Sequence, residues 1–335
     1  MRLIALLAAS AVAHAVPSPP VAVTPDNFPR AESDLNFSVV VKDAGLGKFN
    51  HQRKPAALNK QTAAGAERDI LASSAVFDLD AGPVAVTLPD PRGRFLSMQI
   101  VDEDAYTPEV DYGEGRYKLS KERIGARYAL ATVRILVNPD DPKDLEAAHA
   151  LQDAIKVEQP GGPGSFQIPN WDAASQVDVR AGLMVLAATL PDAKAMFGPR
   201  SKVDPVRRLI GSASAWGGAP ETDLLSFNVA PERNDGRTVY RLALKDVPVD
   251  GFWSVSVYNE RGFFDANPQG AVSLDSATAK PGPDGTTEIQ FGGCDGKSPN
   301  CLATPPDWTY VVRLYRPREA ARDGKWSPPP AKPVS

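Results

Sequence analysis

Residues 74–102, SAVFDLDAGPVAVTLPDPRGRFLSMQIVD, decide the fold of this chain. Three short apolar runs with a two-residue period, SAVFDLD, VAVTL and RFLSMQIVD, are separated by AGP and PDPRG, which are typical turn sequences. This pattern predicts antiparallel strands that follow one another in a meander. Two further runs, YTPEVDYGEGRYKLS and RYALATVRILV, complete the set, and residues 74–137 are therefore predicted to form a small β-sandwich.

A second group of strand signals begins at Leu224. It comprises LLSFNVA, TVYRLALKDV, GFWSVSVYN, AVSLDSA, TTEIQFGG and WTYVVRLYRP, spaced by Asn-Asp-Gly, Arg-Gly and Pro-Asp-Gly turns. These runs predict a second and larger sandwich of jelly-roll or similar type. Trp253 and Trp308 lie beside apolar runs and are expected to anchor its core.

Helix signals lie before and between the two groups of strands. Residues 28–43 read as an amphipathic helix, and Asp141-Pro142 places a capping carboxylate before a helix predicted over 142–157. The segment 171–190 and a short run after Asp204-Pro205 predict two more helices. The chain is therefore predicted to be mainly β, with a helical segment over 138–215.

The first fifteen residues, MRLIALLAASAVAHA, are typical of an export signal. Arg2 is followed by an apolar run from Leu3 to Val12 and by Ala13-His14-Ala15, a small-x-small cleavage pattern. We expect cleavage after Ala15 and a periplasmic or secreted protein. No later run reaches about 18 uncharged apolar residues, and so no transmembrane segment is predicted.

Composition excludes some partners and bounds the size of the fold. The 335 residues are enough for two packed units. The formal net charge is −4, and charged residues of both signs are spread along the chain. Nucleic acid is therefore not expected as a partner. The oligomeric state is left open.

The two cysteines lie close together in GGCDGKSPNC, as Cys294 and Cys301. In an oxidising compartment this spacing predicts one disulfide that closes a tight loop. Such a bond would stabilise the fold by about 2 to 3 kcal/mol in the loop-closure model. A metal site or a catalytic thiol is the alternative, but no histidine lies nearby.

Long phrases of the chain resemble a known pair of domains. Residues 73–113, SSAVFDLDAGPVAVTLPDPRGRFLSMQIVDEDAYTPEVDYG, resemble the domain of unknown function 1254. GFWSVSVYNERGFFDANPQGAVSLDSATAK, DGTTEIQFGGCDGK and WTYVVRLYRPREAARDGKW are similar to its usual companion, the domain of unknown function 1214. The resemblance implies an immunoglobulin-like β-sandwich, a helical middle segment and a C-terminal jelly-roll β-sandwich. It implies little chemistry, because the family has no assigned activity.

With this resemblance, the chain divides into five predicted parts. They are the signal peptide 1–15, an N-terminal helix and sandwich over 16–137, the helical segment 138–215, the jelly roll 216–328 and a flexible tail 329–335.

One stretch departs from the family pattern. Similar proteins usually carry Arg-Met-Asn-Arg-Asp-Thr-Leu-Tyr-Ser before the first sandwich strand, where this chain has GAERDILAS over Gly65–Ser73. If that polar stretch forms a ligand site in the family, Arg68 and Asp69 are what this chain keeps of it. Whether the change abolishes a family function is left open.

Common catalytic patterns are missing from the sequence. Beyond the predicted cleavage site the chain has two histidines, His51 and His149, and it has no Gly-x-Ser-x-Gly, His-Glu-x-x-His, phosphate-binding glycine loop or dinucleotide fingerprint. Serine, zinc and nucleotide enzymes are therefore disfavoured. No metal and no cofactor is predicted.

Carboxylates are the remaining acid–base groups. They crowd the segment that follows RFLSMQIV: Asp102, Glu103, Asp104, Glu109, Asp111 and Glu114. Two of them in one cleft would suit glycoside hydrolysis, and oxygen ligands of this kind also suit Ca²⁺. A solvated acidic loop is the favoured alternative.

Arginine beside tyrosine marks the C-terminal strands. Arg313 lies between Tyr310 and Tyr315, and Arg241 follows Tyr240. Such an arginine binds a carboxylate or a sugar ring, or it forms an ion pair on an exposed sheet face. Both interpretations remain open on the sequence.

The leading hypothesis is an envelope protein that binds a small polar ligand or saccharide at the junction of two sandwiches. The candidate ligand-binding residues are Arg68, Asp69, Tyr106, Glu109, Tyr258 and Arg313. The alternatives are a carboxylate-dependent hydrolase and a structural or assembly protein of the envelope. The last of these predicts an exposed apolar patch of several hundred Å² (order of magnitude).

Overall fold

The computed structural model describes residues 19–61 and 64–334, so the predicted signal peptide lies outside the described residues. Within that part the chain forms sixteen strands in four sheets and six α-helices. The prediction of a mainly β fold with helices is confirmed. The immunoglobulin-like and jelly-roll descriptions of the two halves stay predictions.

The helices are α1 (Phe28–Lys42), α2 (Lys121–Ile124), α3 (Pro142–Asp153), α4 (Ala173–Ala187), α5 (Pro205–Ser214) and α6 (Glu319–Arg322). The strands are β1 (Asn50–His51), β2 (Ile70–Asp78), β3 (Val84–Leu88), β4 (Leu96–Asp102), β5 (Glu109–Tyr112), β6 (Gly115–Leu119), β7 (Tyr128–Leu136), β8 (Lys156–Glu158), β9 (Leu224–Val229), β10 (Tyr240–Leu244), β11 (Trp253–Tyr258), β12 (Ser273–Asp275), β13 (Thr287–Phe291), β14 (Cys301–Leu302), β15 (Thr309–Tyr315) and β16 (Lys332–Pro333).

Two sheets form the N-terminal unit, with strand orders β1-β2-β7-β4-β5 and β6-β3-β8. Side chains of both sheets share one core, which includes Phe77 of β2, Val86 of β3 and Met98 of β4. The meander predicted for β2, β3 and β4 is wrong, because β2 pairs with β7 and β3 lies in the other sheet. A 3-10 turn at Leu79–Ala81 carries the chain across between β2 and β3.

Two more sheets form the C-terminal unit, with orders β14-β13-β10-β16 and β12-β11-β15-β9. Trp308, Phe291 and Tyr310 pack together in its core with ring centroids 4.8 to 6.0 Å apart. Trp253 and Trp308 are both buried in this core, as predicted. Strand β16, which belongs to the segment predicted as a tail, pairs with β10.

The predicted disulfide between Cys294 and Cys301 is confirmed, with the two Cα atoms 5.7 Å apart. It closes the loop between β13 and β14, and these two strands pair in parallel at Gln290 and Phe291. The bond therefore holds a short strand at the edge of the sheet.

Helices α4 and α5 lie between the two units in sequence, whereas α3 precedes β8 and so belongs to the N-terminal unit. Asp141, Asp172 and Asp204 each accept a backbone N–H at the start of α3, α4 and α5, as N-cap residues do. Helix α3 ends at Asp153, four residues before the predicted end, because Lys156–Glu158 pairs with β3 as strand β8. No helix in the described part of the chain is long and apolar enough to cross a membrane.

Candidate functional site

Residues 65–67 of the N-terminal unit lie against β15 of the C-terminal unit. Arg313 on β15 places its Nε 3.1 Å from Glu67 Oε1, and its Nη2 donates to the Gly65 carbonyl at 3.1 Å. Tyr315, two residues along the same strand face, donates its hydroxyl to Glu67 Oε2. An arginine and a tyrosine of one unit therefore hold a carboxylate of the other.

Arg313 is buried, with 7% of its surface exposed, so the interpretation as an ion pair on an exposed sheet face is wrong for this residue. Its Nη1 donates to the Tyr258 hydroxyl at 3.0 Å, so two of the sequence candidates meet here. Burial, the largest single effect, lowers the pKa of Arg313, but the Glu67 carboxylate together with Tyr258 and Tyr315 outweighs burial, and the pKa is raised. The guanidinium therefore stays charged inside the junction.

Asp69 is buried immediately before β2, and within the described residues neither of its carboxyl oxygens has a hydrogen-bond partner. Burial raises the pKa of Asp69, and the nearby charges of Glu67 and Asp275 raise it further; Arg313 and the neighbouring Ser254 hydroxyl lower it, and the net pKa is about 7. The group therefore carries a proton for part of the time at neutral pH.

A cleft of about 310 Å³ opens beside this ion pair, between the two units. We call it the junction cleft; it is lined by Gly65, Glu67, Phe95, Ser97, Gln99, Val110, Tyr112, Arg134, Ala215, Trp216, Gly217, Gly218, Ala219, Asp223, Leu224 and Tyr315. Strands β4, β5 and β7 supply one wall, β9 and β15 supply the other, and the segment 215–219 after α5 closes one side. The site thus needs both units and the connection between them.

Arg134 is the cation of the junction cleft. Its Nη1 donates to Gln99 Oε1 at 2.7 Å, and Gln99 Nε2 donates in turn to the carbonyls of Gly217 and Gly218, each at 3.0 Å. Unlike Arg313, Arg134 forms no ion pair with any residue that the structure describes. The Gln99 contact orients the guanidinium and leaves its charge available.

Tyr112 and Asp223 join β5 to the start of β9 across the cleft. The Tyr112 hydroxyl donates to Asp223 Oδ1 at 2.6 Å. Burial raises the pKa of Tyr112, and the bond to Asp223 raises it further, so the phenol stays protonated. The second oxygen of Asp223 accepts from the Thr222 hydroxyl at 2.6 Å.

Three aromatic rings pack together at one end of the cleft, where Phe95 and Tyr315 line it. Phe252 stacks on Tyr315 with ring centroids 4.1 Å apart, and Phe95 meets both rings edge to face at 5.0 and 5.4 Å. Because Phe95 comes from the N-terminal unit and the other two from the C-terminal unit, these contacts fix the width of the junction.

The other sequence candidates lie elsewhere. Arg68 donates to the Ala56 carbonyl at 2.5 Å. Tyr106 contacts the guanidinium groups of Arg200 and Arg208, which lie 4.1 and 4.4 Å from its ring centroid. Glu109 pairs with Arg123, and the pKa of Glu109 is raised by burial. None of these candidates lines the junction cleft.

The carboxylates after β4 are not a solvated loop, so that expectation is wrong for Asp102 and Glu103, which are buried. Asp102 Oδ1 accepts the N–H groups of Asp104 and Tyr106, both at 2.9 Å, and burial raises its pKa to about 6. Asp102 therefore caps a turn, and none of the acids after β4 lines the junction cleft. In the described part of the chain, no group of three or more His, Cys, Asp or Glu is arranged to hold a metal ion.

Sequence reasoning missed Glu67, Arg134, Tyr112 and Asp223. Two signals were available. Glu67 replaces the asparagine of the family stretch, and Arg134 interrupts the apolar run ATVRILV. Nothing local marks Asp223, because its partner lies 111 residues away.

Two family models match the chain. Residues 46–118 match "Protein of unknown function (DUF1254)", and residues 228–319 match "Protein of unknown function (DUF1214)". No curated protein matches it.

Two solved structures share the fold. The crystal structure of the VPA0106 protein from Vibrio parahaemolyticus aligns with a TM-score of 0.73 at 16% identity, covering 92% of this chain and 98% of that chain. A putative uncharacterized protein from Burkholderia cenocepacia aligns with a TM-score of 0.50 at 12% identity, covering 92% and 87% of the two chains. At these identities the likeness shows the fold alone.

Proposed function

This chain belongs to the proteins that combine the domains of unknown function 1254 and 1214, and we propose that it binds a small polar ligand, an acidic saccharide, in the junction cleft. The observation that carries the proposal is Arg134, a cleft-lining guanidinium without an ion pair among the described residues. A ligand carboxylate would complete that pair with two parallel hydrogen bonds.

The remaining cleft groups suit the hydroxyls of a sugar. Glu67 and Asp223 offer carboxylate oxygens that accept hydrogen bonds, and both carboxylates already have fixed orientations through Tyr315 and Tyr112. Trp216 adds an aromatic ring to the wall. A volume of about 310 Å³ is at the lower end for small-molecule sites, which typically span about 300 to 1,000 Å³. The ligand is therefore of the size of one or two sugar rings.

In this proposal Arg313 and Tyr258 do not contact the ligand. The Arg313 guanidinium holds the Glu67 carboxylate in position. The same guanidinium also bonds the Gly65 carbonyl and the Tyr258 hydroxyl, and these bonds fix its own orientation. Arg313 is thus a positioning residue.

We further propose that the protein works in the periplasm or outside the cell, with cleavage after Ala15. The residues MRLIALLAASAVAHA and the Cys294–Cys301 disulfide support this location, since structural disulfides persist in oxidising compartments. Saccharides of the cell envelope are then the accessible ligands.

The test is a thermal-shift comparison of glucuronate with glucose, which differ at one carboxylate. Ligand at a hundred times its Kd stabilises the folded state by about 2.7 kcal/mol. We expect glucuronate or a related uronic acid to raise the Tm of the native protein and of an Arg241→Gln variant, and to leave an Arg134→Gln variant unshifted. Arg241 is the matched control because it pairs with Glu288 on an exposed strand. An equal shift in the Arg134→Gln variant, or no shift with any uronic acid, would overturn the proposal.

A further inference from the structure

Helix α4 exposes an apolar face to solvent. Its inner side buries Gln176 and Leu183, while Val177 and Val185 on its outer side are 56% and 71% exposed. Three of the ten large apolar side chains that are exposed in the described residues lie on this outer side of α4: Val177, Met184 and Val185. Exposed apolar groups concentrated in this way mark an interaction surface.

The residue types on the outer face of α4 are arranged symmetrically about Ala181. Ala174, Val177, Ala181, Val185 and Ala188 follow one another at spacings of three, four, four and three residues, and all five are exposed. These spacings place them on one stripe along the helix, with Ala181 at its centre and Ala188 as the C-cap residue directly after α4. We call these five residues the α4 stripe.

We propose that the α4 stripe pairs with the same stripe of a second copy of this chain, antiparallel, about a two-fold axis at Ala181. That axis brings Val177 against the partner's Val185 and Ala174 against the partner's Ala188. A two-fold interface requires a self-complementary surface, and the symmetric order of alanine and valine provides one. The small side chain of Ala181 lets the two helices approach closely, and antiparallel helix dipoles attract each other.

Charge and area determine how tight the pair is. Asp178 is the charged residue beside the stripe, and in the pair the two copies of it are separated by about 9 Å along the axis, at the solvated rim. The fifteen residues of α4 extend over about 22 Å, so the stripe buries less than the roughly 800 Å² per partner of a standard interface. The dimer is therefore reversible and forms at high protein concentration. Such a dimer would support the alternative that this is a structural or assembly protein, and it does not depend on ligand binding in the junction cleft.

An Ala181→Cys variant tests the position of the axis. Both native cysteines are consumed in the disulfide, so the new thiol is the only free one. At the axis it lies beside its own copy, and mild oxidation should give a covalent dimer within minutes. Ala173→Cys is the matched control on the same helix, because its two copies stand about 24 Å apart along the axis and should stay uncross-linked. Equal cross-linking of both variants, or of neither, overturns the proposal.

Sedimentation equilibrium tests the surface without a cysteine. We expect the native protein to show a concentration-dependent dimer, and Val185→Glu to raise its Kd at least tenfold. Val39→Glu, an exposed apolar position on α1, should leave the Kd unchanged. A native protein that stays monomeric, or that instead binds phosphatidylglycerol vesicles through Val185, would show that a second copy is not the occupant.

Discussion

At the residue scale, the junction contains more acid than base. Glu67 and Asp69 share the single guanidinium of Arg313, and Asp275 adds a third carboxylate that raises the pKa of Asp69. Arg313 bonds Glu67 directly, whereas both oxygens of Asp69 lack hydrogen-bond partners in the described residues. A buried carboxyl without a partner keeps its proton more readily than an exposed one. Asp69 is therefore the carboxyl group of the junction that retains its proton.

This arrangement predicts a pH dependence of stability. The pKa of Asp69 is about 7 in the folded state and about 3.9 when the chain unfolds, so between those values the folded state binds more protons. The free energy of unfolding therefore falls as the pH rises from 4 to 7, by up to about 1.4 kcal/mol per pH unit from this group. Asp34 and Asp102, each with a pKa raised to about 6, act in the same direction.

The measurement is urea unfolding from pH 4 to 8 of the native protein and an Asp69→Asn variant. The variant should show a shallower fall, and its stability relative to the native protein should be greatest at pH 8. Parallel curves for the two proteins would show that Asp69 titrates normally.

At the element scale, the crossing of β3 between sheets depends on a close backbone contact. Gly161, in the loop after β8, approaches the Leu79–Ala81 turn so closely that an added Cβ would lie 1.7 Å from the Ala81 carbonyl oxygen. This loop and the turn hold β3 between β6 and β8. A glycine is required here by space rather than by an unusual φ.

Gly161→Ala should therefore destabilise the protein by about 1 to 3 kcal/mol, the range expected for overpacking. Gly182→Ala is the contrasting substitution, because a Cβ at this position of α4 meets no atom within 4 Å. In an exposed helix it should stabilise by about 0.4 to 1 kcal/mol. Both effects are measured as shifts of the urea midpoint. A neutral Gly161→Ala would mean that the loop after β8 moves away at no cost.

At the scale of the whole molecule, Arg313 couples the two units. Its contacts reach Gly65 and Glu67 of the N-terminal unit from a strand of the C-terminal unit. Arg313→Met should lower the free energy of unfolding by about 1 to 3 kcal/mol, because the half-buried Glu67 carboxylate loses its cation and keeps only the Tyr315 hydroxyl. Adding Glu67→Met should recover most of that loss, while Arg241→Gln should change stability by less than about 0.5 kcal/mol. If the double variant is no more stable than Arg313→Met, packing rather than charge couples the units.

Local pattern alone determined the strands, the capped helices and the disulfide. The two-residue period of SAVFDLD and WTYVVRLY, the Asp-Pro caps and the short spacing of Cys294 and Cys301 act over a few residues, and the structure contains each of these features. Which strands pair was decided by the tertiary structure, since the turn after β2 sends β3 to another sheet.

The candidate site was likewise only partly visible in the sequence. Arg313 and Tyr258 were found from their strand positions. Their burial depends on long-range contacts, such as the bond from Arg313 to the Gly65 carbonyl, which joins residues 248 positions apart in the chain. The junction cleft exists because two distinct cores meet, and Arg134, Tyr112 and Asp223 acquire a common environment only there. The physical reason is that periodicity and turn chemistry report which side of an element is buried, whereas the partner that buries it is selected by packing over the whole chain.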